Sequence, residues 1–158
     1  MAGSLDMSDG GMKQADKNAL EQFLCFGVYS TGLAFNRVYK PVLEKIGLTY
    51  PQYLAIVLLR ERDGQTIGEL GEALFLESST LTPLVKRMEA AGIVTRRRDS
   101  ADERVVRVSL TEKGRGIAAE AACVPEQILA ATGLSEEQLA VMQKAMVRLR
   151  DTLRAHAE

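Results

Sequence analysis

Largely apolar positions recur at spacings of three and four from about Lys17: Leu20, Leu24, Val28, Thr31, Phe35, Val38 and Val42 form one stripe. The pattern predicts a long N-terminal helix that Pro41 bends or ends. Tyr50-Pro51 opens a second helix, and the dense run YLAIVLL that follows predicts burial on most sides. Thr66-Ile-Gly-Glu69 fits a capping box at the start of a short helix through Leu70, Ala73 and Leu74. A second start follows, with Leu81, Leu84, Val85 and Met88 as its apolar face and Gly92 as the residue beyond its end. Pro83 restricts where that helix begins, which favours Ser79 or Thr80 as its cap.

Two short helices joined by about three residues form a helix-turn-helix arrangement. The period then changes. Ile93–Arg96 and Arg104–Leu110 are rich in β-branched residues around the turn-forming RRDSADE, so a hairpin with a charged tip is expected. Thr111 caps a further helix through Ile117 that Pro125 interrupts and Gly133 stops, and Ser135-Glu-Glu-Gln138 is another capping box. The last helix carries Leu139, Met142, Met146, Leu149 and Leu153 as a seam which, with the N-terminal stripe, suits a helical dimer interface. The fold class expected is mainly α with a small β-hairpin wing. Residues 1–16 read as a flexible tail, 17–48 as an N-terminal dimerisation helix, 49–110 as a winged helix-turn-helix and 111–158 as C-terminal dimerisation helices.

Composition narrows the chemistry. The 158 residues are 46% apolar and 26% charged, with net charge −1, as in one ordinary globular domain. The longest unbroken apolar run, Tyr53 to Leu59, is too short to span a bilayer, and no signal peptide is evident, so a cytoplasmic location is expected. Two cysteines 98 positions apart and one histidine do not make a zinc site, and neither a metal nor a cofactor is expected.

Charge is uneven along the chain. From Leu84 to Arg107, the basic residues Lys86, Arg87, Arg96, Arg97, Arg98, Arg104 and Arg107 outweigh Glu89, Asp99, Asp102 and Glu103 to give +3, against −4 in the rest of the chain. On a winged helix this suits double-stranded DNA, with the second helix of the pair in the major groove and the wing on backbone or minor groove. Ser78, Ser79, Thr80 and Thr82 supply short hydrogen-bonding groups at that helix's start, one of them expected to be used as the cap, while Lys86 and Arg87 suit phosphates or guanine.

The stretches LTYPQYLAIVLL, LGEALFLESSTLTPLVKRMEAAGIVTR and DERVVRVSLTEKG resemble the MarR family of dimeric winged-helix regulators. FLCFGVYS, RVYKPVLEKIGLTYPQY and TLTPLVKRME are similar to its organic-hydroperoxide-sensing, OhrR-type branch, over roughly residues 20–127. The resemblance implies a repressor that reads an inverted repeat and is released from it by an organic hydroperoxide. It implies that Cys25 is the peroxide-reactive thiol, that Tyr39 and Tyr50 hydrogen-bond its thiolate, that Tyr29 lines the pocket and that Arg104 enters the minor groove. In members with a second cysteine it implies an intersubunit disulfide. Cys123 is the candidate resolving thiol here, with a small structural residue in an Ala-rich helix as the alternative.

The residues around Cys25 fit an apolar oxidant, since Phe23, Phe26 and Tyr29 surround it in sequence. Cys25 and Tyr39 are 14 residues apart, which on a straight helix is about 21 Å. A shared site therefore requires either a sharp break or a Tyr39 from the other subunit, and the second is favoured. Two other classes remain open: a MarR-type regulator released by a non-covalent phenolic ligand, with Cys25 incidental, and a thiol peroxidase, although Cys25 lacks an accompanying catalytic Arg or His motif.

Overall fold

The computed structural model describes residues 19–157, so the predicted tail over residues 1–16 lies outside the described residues. A 3-10 turn, Ala19–Gln22, leads into α1 (Leu24–Glu44). There follow α2 (Tyr50–Glu61), β1 (Gln65–Thr66), α3 (Ile67–Leu74), α4 (Ser78–Ala90), β2 (Val94–Arg98), β3 (Val106–Leu110), α5 (Glu112–Glu120), α6 (Val124–Thr132) and α7 (Glu136–Ala157). The chain forms two compact units that meet within α1, Met1–Asn36 and Arg37–Glu158. In the first, none of the described residues is buried, and Leu24, Val28 and Phe35 stay exposed.

The second unit holds the core. α2 buries Tyr53, Ala55, Ile56 and Leu59, as its apolar run predicts. Leu70 of α3, Leu81, Leu84, Val85 and Met88 of α4, Val94 and Val108 of the sheet, and Ala118, Val124 and Ile128 behind them complete one cluster. The sheet is antiparallel with order β1-β3-β2, and its register pairs Val94 with Leu110 and Arg98 with Val106. β1 was not expected. It has only two residues, and its Gln65 is buried because the side-chain amide donates to the carbonyls of Leu58 and Arg62 at 2.9 and 2.8 Å, closing the end of α2.

The predicted capping boxes form at Thr66/Glu69 and at Ser135/Gln138. Three helix boundaries differ from the sequence reading. The N-terminal stripe passes first through the 3-10 turn, and the α-helix starts at Leu24. Pro41 does not end α1, which runs on to Glu44. The ring removes one donor late in the helix and frees the carbonyl of Arg37, and both residues are exposed, so water can satisfy that carbonyl. In the same way α4 starts at Ser78 with Glu77 at the cap position and carries Pro83 inside it, its freed carbonyl on exposed Ser79.

Two glycines set close approaches. A Cβ on Gly71 would lie 2.8 Å from the carbonyl oxygen of Leu76, where the turn between α3 and α4 folds back on α3. A Cβ on Gly114 would lie 2.1 Å from the carbonyl oxygen of Ile93. Thr111 locks the same junction: its hydroxyl donates to Gly92 O at 2.6 Å and accepts from Gly114 N at 3.0 Å. α5 is thereby pressed onto the strand that starts the wing.

Gly114→Ala is expected to destabilise the fold by at least about 1–3 kcal/mol, since backbone rather than a movable side chain must give way. Gly116→Ala in the same helix has open space at its Cβ and should be neutral or gain up to about 1 kcal/mol. Denaturant unfolding of both variants checks the contrast, and equal midpoints would refute it.

Candidate functional site

The exposed surface of α4 has the chemistry expected of it. Leu81, Leu84, Val85 and Met88 turn inward, while Ser78, Ser79, Thr80, Lys86 and Arg87 are exposed and Thr82 is half-buried. The expectation that one hydroxyl caps the helix is corrected, because Glu77 holds the cap position and makes no side-chain cap bond. The serine and threonine hydroxyls at the start of α4 are thus not committed to capping.

In the wing, acidic residues sort the arginines. Glu89, in the last turn of α4, accepts from Arg96 Nε at 2.7 Å and from its backbone N at 3.2 Å, and forms an ion pair with Nη2 at 2.7 Å. Asp99 pairs with Arg107, which also donates to Gly64 O at 3.0 Å. This offsets the like charges of Arg97 and Arg107, which face each other across the strands. Asp99 further accepts from Ala101 N at 2.8 Å and Asp102 from Arg104 N at 3.0 Å, so two carboxylates shape the tip. The Ala101 amide first, and then Arg107, hold the Asp99 carboxyl below its ordinary range; Arg96 does so for Glu89. Arg97, Arg98 and Arg104 are exposed and make no ion pair among the described residues. Of the basic residues singled out in the wing, these three are free to meet an external anion, whereas Arg96 and Arg107 are engaged within the fold.

The tyrosines gather in the second unit. Tyr39 packs on Tyr50 with ring centroids 4.6 Å apart, and Tyr53 lies 6.1 Å from Tyr39 and 6.4 Å from Tyr50. Burial, the neighbouring phenols and a hydrogen bond with Tyr50 push the Tyr39 pKa up to about 12. Tyr53 is raised too, first by burial and then by Tyr50, with Cys123 adding to the effect. Cys123 lies between Ala122 and Pro125, which share a small cleft with Tyr53. It is exposed, donates to Glu120 O at 3.4 Å and accepts from Gln127 Nε2 at 3.3 Å. Cys25 and Tyr29 belong to the first unit and are both exposed, with Tyr29 6.4 Å from Phe26 between ring centroids. Residues 19–36 alone do not enclose a pocket around Cys25. Tyr53 and Gln127 were not singled out from the sequence; the spacing of Tyr50 and Tyr53, three apart on one helix, is the signal that could have found Tyr53.

α7 also meets the helix-turn-helix. Phe75, in the turn after α3, adopts a left-handed conformation with φ 57°, and its half-exposed ring receives Arg150 and Arg154 at 4.6 and 4.7 Å from its centroid. An open cavity of about 630 Å³ adjoins these three side chains.

The raised Tyr39 pKa has a definite sign. Protonation is tighter in the fold than at the ordinary value of 10.0, so the associated stability is present below pH 10 and is lost as the pH rises through about 12. Spectrophotometric titration should show a phenol ionising near pH 12 that Tyr39→Phe removes; titration of every tyrosine near 10 in the folded protein would contradict the cluster.

Comparison with known proteins places this architecture. The model of the transcriptional regulator SarA/Rot family matches residues 37–121. The chain is 44% identical to the organic hydroperoxide resistance transcriptional regulator of Bacillus subtilis, over 87% of this chain and 94% of that protein. It is 43% identical to the HTH-type transcriptional regulator TtmR of Methylorubrum extorquens, over 90% of this chain and 73% of that protein. Among solved structures, reduced AbfR bound to DNA is 34% identical with a TM-score of 0.72, covering 85% of this chain and 92% of that one. With helix-turn-helix, wing and relatives in agreement, the chain belongs to the MarR/SarA family of DNA-binding, winged-helix transcriptional regulators.

Proposed function

We propose that this regulator is a dimeric repressor that senses organic hydroperoxides by oxidation of Cys25 and releases its operator in response. The observation that carries the reading is the 44% identity, over most of both chains, to a regulator named for organic hydroperoxide resistance. The exposed thiol of Cys25 and the tyrosine cluster containing Tyr39 support it.

The chemistry is a two-electron oxidation. The Cys25 thiolate attacks the terminal peroxide oxygen; an S–O bond forms as the O–O bond breaks, and the alkoxide leaves and takes a proton to become the alcohol. The product is a sulfenic acid. Phe23, Phe26 and Tyr29 supply apolar surface for the alkyl chain, and the phenolic hydroxyls of Tyr39 and Tyr50 from a second copy are suited to donate to thiolate or leaving oxygen. The exposed stripes of α1 and α7, including Leu24, Val28, Met142 and Met146, suit pairing with a second copy about a two-fold axis. Two α4 helices then meet major grooves about one helical turn apart on an inverted repeat, and Arg104 at each wing enters the minor groove. Where Cys123 resolves the sulfenate, its thiol condenses with the sulfenic acid across the dimer to give a disulfide and water.

DNA binding by the reduced protein, with and without cumene hydroperoxide, tests the reading. Cys25→Ser should bind the DNA upstream of its own gene and ignore the oxidant, whereas release of this variant on oxidation would overturn Cys25 as sensor. Peroxide-insensitive release by a phenolic ligand would favour the ligand-responsive alternative, and multiple turnovers with a thiol reductant would favour a peroxidase. Cys123→Ser should abolish a covalent dimer on non-reducing gels if Cys123 resolves; an unchanged response, with no covalent dimer in the parent protein, returns it to a packing role. Arg104→Ala should weaken DNA binding and lower the slope of log affinity against log salt by about one.

A further inference from the structure

We propose that Glu89 is the positioning residue of the wing: it clamps Arg96 so that the β2–β3 hairpin is held at a fixed angle to α4, and Arg96 serves this clamp rather than contacting DNA. The proposal rests on the reading that α4 and the wing bind DNA.

The geometry is specific. Glu89 engages Arg96 three times, through Nε, Nη2 and the backbone N. Arg96 is the central residue of β2 and pairs with Val108, which is fully buried. By strand alternation its side chain shares a face with inward-pointing Val94, whereas Arg97 points to the other face. The two side chains are only 29% and 36% exposed. The clamp spans the junction where α4 ends and the hairpin begins, and the cations left free, Arg97, Arg98 and Arg104, all lie beyond it toward the tip. Any rotation of the hairpin about that junction displaces them most. A carboxylate near a DNA-facing surface opposes phosphate binding unless it is neutralised within the protein, and Arg96 neutralises this one.

Clamp and bare charge predict opposite signs. Glu89→Gln removes one negative charge, so long-range electrostatics alone would strengthen DNA binding. A clamp predicts binding about three- to tenfold weaker, with the salt slope unchanged because no phosphate contact is lost. Arg96→Gln should match Glu89→Gln in size and in slope, the double variant should be no worse than either single one, and the charge-swapped pair E89R/R96E should recover most of the affinity. In the free protein, the amides of Arg96 to Arg98 should exchange hydrogen faster in E89Q while the thermal midpoint stays close to that of the parent.

Unchanged or tighter binding by E89Q would overturn the proposal. So would a shallower salt slope for Arg96→Gln, which would make Arg96 a phosphate contact. Failure of the reduced parent protein to bind DNA would instead sink the reading beneath it. Hydrogen exchange in E89Q then decides the clamp alone: unchanged rates at Arg96 to Arg98 would overturn it.

Discussion

Burial of α2 on nearly all sides is the constraint from which the second unit is built. Tyr53, Ala55, Ile56 and Leu59 cannot be covered by one neighbour, so α3, α4, the sheet and the helices beyond it close around them. That enclosure gives α4 an inner face and leaves its hydroxyls and cations outward. It also draws α5 against the α4–β2 junction, where Gly114 and Thr111 fix the spacing and so the origin of the wing. Reading surface and packing surface are opposite sides of the same elements.

A second level of order is electrostatic. The basic stretch from Leu84 to Arg107 reads in the sequence as a cluster with a modest acidic admixture. In the fold, Glu89, Asp99 and Asp102 have separate tasks, bracing a strand, pairing an arginine across the hairpin and shaping the tip. Surface ion pairs of this kind add little to global stability. Their effect is selective: they withdraw some cations from solvent and leave others to project.

Local signals were the most legible. Thr66/Glu69 and Ser135/Gln138 are satisfied within a few residues, so their pattern survives in the fold, as does the left-handed Gly92 after α4. The family resemblance, carried by the stretches around Cys25, Tyr50 and Thr82, agrees with the relatives found. Pro41 does not end its helix and Pro83 does not set the start of its own, because a proline's effect depends on whether the carbonyl it frees reaches water, which is a property of the fold. β1 was invisible because two residues have no period. Tyr53 was read as part of a core run; only its packing against Tyr39 and Tyr50 marks it as part of the phenol cluster. The enclosure expected around Cys25 was read from a resemblance to dimeric proteins, and residues 19–36 of one chain do not supply it.

Phe75 illustrates how a locally unfavourable backbone can be retained. A side chain in the left-handed region costs about 1–2 kcal/mol relative to glycine, and glycine at that turn would relieve it. Yet glycine has no ring to receive Arg150 and Arg154, whose guanidinium groups lie over it. Relief of backbone strain and retention of the ring contacts to α7 therefore pull in opposite directions at this one position. A glycine there would relax the turn and untie the last helix from it in one step, so the strain at Phe75 and the tether to α7 are gained or lost together.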